Sequence, residues 1–422
     1  MILVLFTASY PFDVATEQTF LNEEIKHLAA NFEKLVLIPR RCNGTKLPVP
    51  PNVEVVEDYF SFLESANKFA VAARVFASPL FYRDLLTHPW LLFNIPSLGR
   101  LFAYLGGAYL TRQWLERWLD KNCIDVTQCI FYTYWFDQGT MGIGLAKRLH
   151  PDLKLVSRIH GYDLYEERYS PPYWPGRPAS FEVTDLLFSA ADAGMKYLKE
   201  RYPAFSLHFE ASFLGVIDPG FMSQPSSDGV IRIASCSIIR PVKRVDLLLE
   251  GVAYAARQRP DQKIEWRHFG KGEFEGMEEE LQKTADEIFP SNARAFFPGY
   301  STQQALMDYY HSNPVDVFFN VSESEGTPVS TMEAISCGIP AVATSVGGNR
   351  EIVTEQNGLL LSPNPAPQEI ADAIFKFADS PEWAASKRIG SRDVWRKKYN
   401  ADENFHAFIQ RLKAIRETGK TL

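Results

Sequence analysis

Short apolar runs, most of them rich in β-branched and aromatic residues, recur along the chain with helical patterns between them. In the first half they fall at 2–7, 34–38, 129–135, 154–159, 186–189 and 212–216. In the second half they fall at 231–238, 263–269, 293–297, 315–321, 341–345 and 358–361. Runs that are nearly continuous in apolarity predict parallel strands buried on both faces. Strands that alternate with helices predict a doubly wound α/β architecture, here built twice. The turn Ile217-Asp218-Pro219-Gly220 and the polar stretch 224–229 mark a boundary near 217–230. The expected division is 1–216, 230–381 and a helical tail over 382–422, in which Trp395, Tyr399, Phe405, Phe408 and Leu412 recur at near-helical spacing.

One stretch breaks the alternation. Residues 56–120 hold no clear strand and read as several helices carrying 14 aromatic residues, with Arg74, Arg83, Arg100, Arg112 and Arg117 nearby. Aromatics are 13% of the 422 residues, and 36 of the 56 lie in 1–215. Two readings of the stretch stand side by side: a helical subdomain that uses aromatics as core, and a contact with a membrane interface, where aromatic and basic residues belong together.

Bulk composition narrows the class. The formal net charge is −7, so a basic nucleic-acid-binding surface is not expected. Five cysteines at irregular spacing, with no C-x-x-C, predict neither a zinc site nor a redox pair and fit a reducing, cytoplasmic setting. The apolar N-terminus lacks a basic leader and reads as a first buried strand. The most apolar stretch, 85–110, is interrupted by Pro89, Pro96 and Arg100, a poor transmembrane span.

The strongest chemical signal follows the run 315–321. A polar loop carries Glu325 and Gly326, then Thr327 as an expected helix cap with Pro328 at the first helical position, then Val329, Ser330 and Glu333. A helix start of this kind offers backbone N–H groups and the positive end of a dipole, which suits a diphosphate. Glu325 and Glu333 should line one cleft at different depths, and a carboxylate is a good acceptor for sugar or ribose hydroxyls.

Glu325 to Glu333, followed by Ala334, Gly338 and Pro340, resembles the Glu-x7-Glu signature of the retaining glycosyltransferases of the glycogen-synthase and sucrose-synthase type, family four of the GT-B enzymes. The segment 341–353, with Gly347-Gly348-Asn349-Arg350-Glu351, resembles the strand, Gly-Gly turn and helix that follow it in that family, and Asn357-Gly358 resembles its last strand. The resemblance is strong over 231–362 and looser elsewhere. It implies two Rossmann-like doubly wound domains facing a central cleft, with a C-terminal helix packing back on the N-terminal domain. The C-terminal domain would bind a nucleotide-diphosphate sugar and the N-terminal domain a glycan or lipid-linked acceptor. The nucleotide sugar would be a substrate, and no cofactor or metal is implied.

Residue by residue, the resemblance implies that Glu325 contacts the transferred sugar and Glu333 the ribose hydroxyls, while amides around 326–330 hold sugar and phosphate. Lys243, in a post-strand loop with Arg240 and Arg244, would supply charge to the leaving diphosphate. The family commonly has an arginine five residues earlier, where this chain has Ile238; Arg240 and Arg244 are candidate substitutes. The strand-end loops with Gly270 and with Gly299-Tyr300 would border the nucleotide. His160-Gly161-Tyr162-Asp163 resembles the family's His-Gly-x-Asp segment, which puts His160 near the sugar and Asp163 on the acceptor side or, alternatively, at a turn cap. Trp135 could line the acceptor cleft or belong to the core, and the first loop, with Tyr10, occupies the acceptor-loop position without the family's frequent Gly-Gly.

The implied reaction is retaining, metal-independent and front-face, used in polysaccharide biosynthesis by a protein that is cytoplasmic and, on the second reading of 56–120, bound to the inner face of a membrane. The alternatives are another GT-B enzyme, such as a nucleotide-sugar epimerase, and an inactive sugar-binding scaffold.

Overall fold

The computed structural model describes residues 1–12 and 17–418. The part of the first loop that covers 13–16 lies outside the described residues. The chain divides into two compact units: Met1–Leu214 together with Phe405–Leu422, and Gly215–Asn404.

The first unit is built on strands β1 (Ile2–Thr7), β2 (Lys34–Pro39), β3 (Val53–Val55), β4 (Cys129–Thr133), β5 (Lys154–Ile159), β6 (Leu186–Ser189) and β7 (Phe209–Ala211). They form one parallel sheet in the order β3-β2-β1-β4-β5-β6-β7. Side chains alternate between faces along a strand, and both faces of this sheet are covered. Leu3 and Leu5 enter one core with Leu21, Ile25 and Leu28, while Val4 and Phe6 enter the opposite core with Trp114 and Trp118. That double burial is why β1 reads as an unbroken apolar run.

The second unit carries β8 (Val230–Cys236), β9 (Lys263–Phe269), β10 (Ala293–Phe296), β11 (Val317–Asn320), β12 (Ala341–Thr344) and β13 (Gly358–Leu361). Their order is β10-β9-β8-β11-β12-β13, again parallel throughout. In each sheet the order reverses once, between β1 and β4 and between β8 and β11. Open α/β sheets bind ligands at the carboxyl ends of the strands beside such a switch point.

Two strand expectations need correction. The run 212–216 is not a strand: β7 ends at Ala211, and Val216 makes only an isolated bridge to Asn400. The edge strand β3 was not expected, because three residues are too short to show a pattern. The tail is helical, but it divides between the units. Trp395 and Tyr399 stay with the second, where the Trp395 Nε1–H donates to the Val216 carbonyl and the Tyr399 hydroxyl to that of Glu351. Phe408, Ile409, Leu412 and Ile415, on the helix Ala401–Thr418, complete one core of the first.

The aromatic stretch is helical: Asp58–Glu64, Lys68–Phe76, Pro79–Thr87, a 3₁₀ turn Pro89–Phe93 and the long helix Ile95–Asn122. Asn67, Ser78 and Asn94 cap three of these helices with side-chain oxygens. Tyr59, Phe81, Tyr104, Trp114 and Trp118 are core residues. Phe69, Phe76 and Phe93 are exposed.

Candidate active site

In the second unit, the loop that leaves β11 is organised around one carboxylate. Glu325 is buried, and three donors converge on its Oε1: Lys243 Nζ at 2.5 Å, Ser322 Oγ at 2.7 Å and Asn320 Nδ2 at 3.1 Å. Asn320 also accepts from the Ser322 amide, which closes the turn around the carboxylate. The glycine pair after β12 presses against this loop. A Cβ on Gly347 would sit 1.9 Å from the Glu325 carbonyl oxygen, and one on Gly348 1.9 Å from that of Gly326. Gly347 also has φ +45°, in the left-handed region. Only glycine allows this approach, so the pair fixes the height of the Glu325-Gly326 backbone.

The helix Val329–Ser336 begins one residue later than expected. Pro328, not Thr327, occupies the cap position; its ψ of 97° is extended, and it makes no side-chain cap bond. The amides of Gly326, Thr327, Val329 and Ser330 have no acceptor among the described residues, and all four residues are half-buried. A cluster of such amides at a helix start is an anion cradle. Glu333 lies a turn inside the helix, buried, with Oε1 accepting from Gln303 Nε2 at 2.8 Å. Loss of solvation pushes its carboxyl up to about 7, against the opposing effect of that hydrogen bond. The two glutamates share no hydrogen-bond partner among the described residues.

Lys243 ends the 3₁₀ turn Pro241–Lys243 after β8. Of the candidate substitutes for the missing arginine, Arg244 is otherwise engaged: at φ +50° its guanidinium holds the carbonyls of Val321, Ser322 and Pro363. It straps two loops together. Arg240 is exposed, and Ile238 is 46% exposed at the position where the resemblance leads one to expect an arginine.

The strand-end loops are stitched to one another. The Ser237 amide donates to the Phe269 carbonyl, Ile239 to Lys271, and Gly270 to Gly299. Gly270 has φ +137°, and a Cβ there would lie 1.9 Å from the Ser237 carbonyl oxygen. Gly299 also has positive φ, and Tyr300 beside it is 71% exposed. Beneath these loops lies a residue the sequence did not flag. His268 is buried, 2.8 Å from Ser235 Oγ through Nδ1 and 3.1 Å from the Ser237 carbonyl through Nε2. Burial pulls its imidazole down to about 4. Since a carbonyl only accepts, Nε2 carries the proton, and the Ser235 hydroxyl, which takes the Trp266 Nε1–H, donates to Nδ1. The chain Trp266, Ser235, His268, Ser237 therefore has one direction and anchors the loop that leads to Lys243. The only advance signal was a histidine at the end of a strand.

In the first unit the expected residues also gather at strand ends. After β1, the amides of Ala8, Ser9 and Tyr10 donate to the Glu17 carboxylate at 2.7, 2.6 and 3.0 Å. The Trp135 indole, after β4, donates to the same carboxylate. Glu17 was not singled out from sequence, since a lone acid opening a helix carries no distinctive spacing. Trp135 is half-buried, and its ring lies 4.8 Å from that of His160, which follows β5 and also meets Tyr134 at 4.6 Å. Desolvation, with Arg158 adding to it, pulls His160 down to about 3 and keeps it neutral.

Two residues expected on the acceptor side are engaged elsewhere. Tyr10 is a core side chain, 3% exposed, packed with the helix Glu17–Asn31. Asp163 is 1% exposed; its oxygens accept from the amides of His160 and Phe136, both at 2.6 Å, so it clamps the turn after β5 to the loop after β4. Burial raises its carboxyl to about 7. This is the capping alternative. A nearby ion pair, Arg40 to Asp137 at 2.6 Å, lies with Thr7, Thr133 and Trp135 around a small cavity.

Both sheets, their single order reversals and their strand-end loops define a GT-B fold. Solved structures match it over nearly the whole chain. HepE of Anabaena, determined in complex with UDP and glucose, aligns over 98% of this chain and 100% of its own with a TM-score of 0.62 at 15% identity. Sucrose-phosphate synthase of Thermosynechococcus elongatus aligns over 98% of each chain with a TM-score of 0.64 at 15% identity. Residues 222–393, within the second unit, match the family model described as glycosyl transferases group 1. A D-inositol 3-phosphate glycosyltransferase of Streptomyces bingchenggensis is 31% identical over 157 residues, 36% of this chain and 33% of that protein. The alignments span less than half the length of the first such relatives.

Proposed function

We propose that the protein transfers a sugar, with retention, from a nucleotide-diphosphate sugar to a hydroxyl of a glycan or lipid-linked saccharide in polysaccharide biosynthesis. The observation that carries this reading is the pairing of Lys243 with Glu325 beside the half-buried amides of 326–330. A diphosphate needs cationic and N–H donors, and a transferred sugar needs a fixed carboxylate; the second unit offers both within one loop system. In this reading the amides and Lys243 take the diphosphate, Glu325 the sugar and Glu333 the ribose, with Gly270, Gly299 and Tyr300 at the rim. Arg240 is the exposed cation left to assist Lys243. Charge on the leaving group is met by Lys243 and the amides without a metal ion.

A front-face displacement is consistent with these parts. The acceptor oxygen bonds to the anomeric carbon as the bond to the diphosphate breaks, and a phosphate oxygen receives the acceptor proton. The protein positions and stabilises charge. The first unit serves the acceptor: Trp135 and neutral His160 form its polar and aromatic surface, held by Glu17 and Asp163. The relatives' names agree with a sugar donor, and HepE was solved with UDP.

The test is a panel of nucleotide sugars offered with candidate acceptors, read by nucleoside diphosphate release. One donor should give acceptor-dependent release. Epimerisation of a nucleotide sugar supplied alone would point to the epimerase alternative, and binding without turnover across the panel to a scaffold.

A further inference from the structure

The helices between 58 and 122 bury part of their aromatic content and leave the rest outside. On the helix Lys68–Phe76, Val75 is buried, and Val71 faces Gly106 of the long helix. At 100° per residue, Phe69 then falls on the face turned away from that contact, while Phe76, at the end of the helix, lies beside Phe102 of the same long helix. Phe69 and Phe76 are 88% and 52% exposed. The exposed series continues through Leu86 at 83%, Phe93 at 90% and Ile95 at 81%. Phe76 joins Phe81 and Phe102 edge to face, so this outer surface is continuous with a rigid core and is not a loose tip. Single exposed apolar residues are ordinary, whereas a series on adjoining helices marks an interaction surface.

Charge supplies the second observation. Between Glu64 and Glu116 the chain has Lys68, Arg74, Arg83, Arg100 and Arg112 against a single acid, Asp84. Asp84 is buried and accepts from the Tyr173 hydroxyl and the Gly176 amide. Arg83 and Arg112 pair with Glu182 and Glu116, and the exposed Glu64 stands at the edge of the segment, whereas Lys68, Arg74 and Arg100 make no ion pair among the described residues. Along the flank of the helix Lys68–Phe76 runs a groove of about 400 Å³, lined by Phe62, Asn67, Arg74, Tyr109, Gln113 and Arg117 among others. Arg74 lies 5.6 Å from the centroid of Tyr109 and Arg117 5.4 Å from that of Phe62, and neither arginine has a carboxylate partner among the described residues.

We infer that this helical face seats on an anionic lipid bilayer, with Phe69, Phe76, Phe93 and Ile95 entering the acyl boundary and the groove taking a lipid phosphate between Arg74 and Arg117. An apolar surface bordered by cations without a carboxylate partner, here Lys68, Arg74, Arg100 and Arg117, is the physical signature of interfacial binding. The inference rests on the acceptor-side reading above, because a lipid-linked acceptor is met at such a surface.

The experiment is cosedimentation of the full chain with vesicles of phosphatidylcholine alone and with phosphatidylglycerol added, alongside UDP, GDP and ADP titrations of the same preparations. Binding should favour the anionic vesicles and weaken with salt. The double variant Phe69→Ser, Phe93→Ser should lower it about tenfold or more. Arg74→Gln with Arg117→Gln should remove the preference for anionic lipid while leaving nucleotide affinity unchanged. No vesicle binding, equal binding to both vesicle types, or wild-type binding by the serine variant overturns the inference. So does sedimentation velocity showing that the same phenylalanines hold a dimer that does not bind vesicles. Nucleotide binding without vesicle binding fells this inference alone; vesicle binding without any nucleotide affinity fells the donor reading and leaves it standing.

Discussion

Lys243 Nζ and Glu325 Oε1 lie 2.5 Å apart, so the cation proposed for the diphosphate is also the counter-ion of the carboxylate proposed for the sugar. Glu325 is anchored twice more, through Ser322 and Asn320. Lys243, on a flexible stem, is the partner able to move. Lys243→Ala should therefore weaken nucleotide-sugar binding about tenfold or more, the scale of one charge-assisted hydrogen bond. Calorimetry showing unaltered affinity would refute the assignment.

Glu325→Ala removes the group on which three donors converge. Transfer should fall about a hundredfold or more, comparable to loss of one preorganised electrostatic contact. Nucleoside diphosphate release with donor and acceptor both present measures it. Wild-type turnover would leave Glu325 as a loop anchor only.

Glu333 predicts a pH dependence whose sign follows from its environment. Burial raises its carboxyl to about 7, so in the unliganded protein the acid form persists through mildly acidic pH. Only the ionised carboxylate accepts with both oxygens. Nucleotide affinity should thus rise between pH 6 and 8, by about tenfold per pH unit at most for one proton. Glu333→Gln should flatten that rise, leaving only the titration of the diphosphate itself. A variant profile parallel to wild type would exclude Glu333 from the nucleotide contact.

Gly348→Ala sets a methyl group against the Gly326 carbonyl oxygen, 1.9 Å from it before any relaxation. The loop must shift, at about 1–3 kcal/mol for overpacking. Both the melting temperature and the nucleotide affinity should fall. If both hold at wild-type values, the glycine pair does not set the position of the Glu325 loop.

Glu17→Ala leaves the Ala8, Ser9 and Tyr10 amides and the Trp135 indole without their common acceptor. Each buried donor left unmet costs about 1–3 kcal/mol. The thermal transition should drop, and Trp135 emission should shift to the red as water reaches the ring. Unchanged emission would show that Glu17 does not hold the indole.

The sheets were legible because a strand buried on both faces leaves an unbroken apolar run, as Leu3, Val4, Leu5 and Phe6 do. β3 was not, since a three-residue edge strand is held by its neighbour's backbone rather than by its own pattern. The Glu325 loop could be read because its glycines, proline and two glutamates follow a strand at fixed spacing. Tyr10 is placed on the acceptor side by its loop position, and Asp163 by the His-Gly-x-Asp resemblance, with a turn cap as its alternative. Whether a side chain at a strand end turns toward ligand or core depends on partners distant in sequence, here the helix Glu17–Asn31 for Tyr10 and the Phe136 amide for Asp163. His268 and Glu17 were invisible for the same reason: their partners, Ser235 and the Ser237 carbonyl for one and the Ala8 to Tyr10 amides and Trp135 for the other, lie at spacings that form no motif.

The last helix has a consequence for how the protein is made. Phe408, Ile409, Leu412 and Ile415 fill one core of the unit that begins at Met1. On the ribosome, the first unit to emerge is therefore the last to be finished. Until the helix carrying Phe408 is translated, the apolar surface around Tyr132 and Phe188, which meets Phe408, stays open to water or to a chaperone. A gene fragment that stops where the first sheet ends would encode an incomplete domain, and the second unit has to be synthesised in full before its predecessor can close its core.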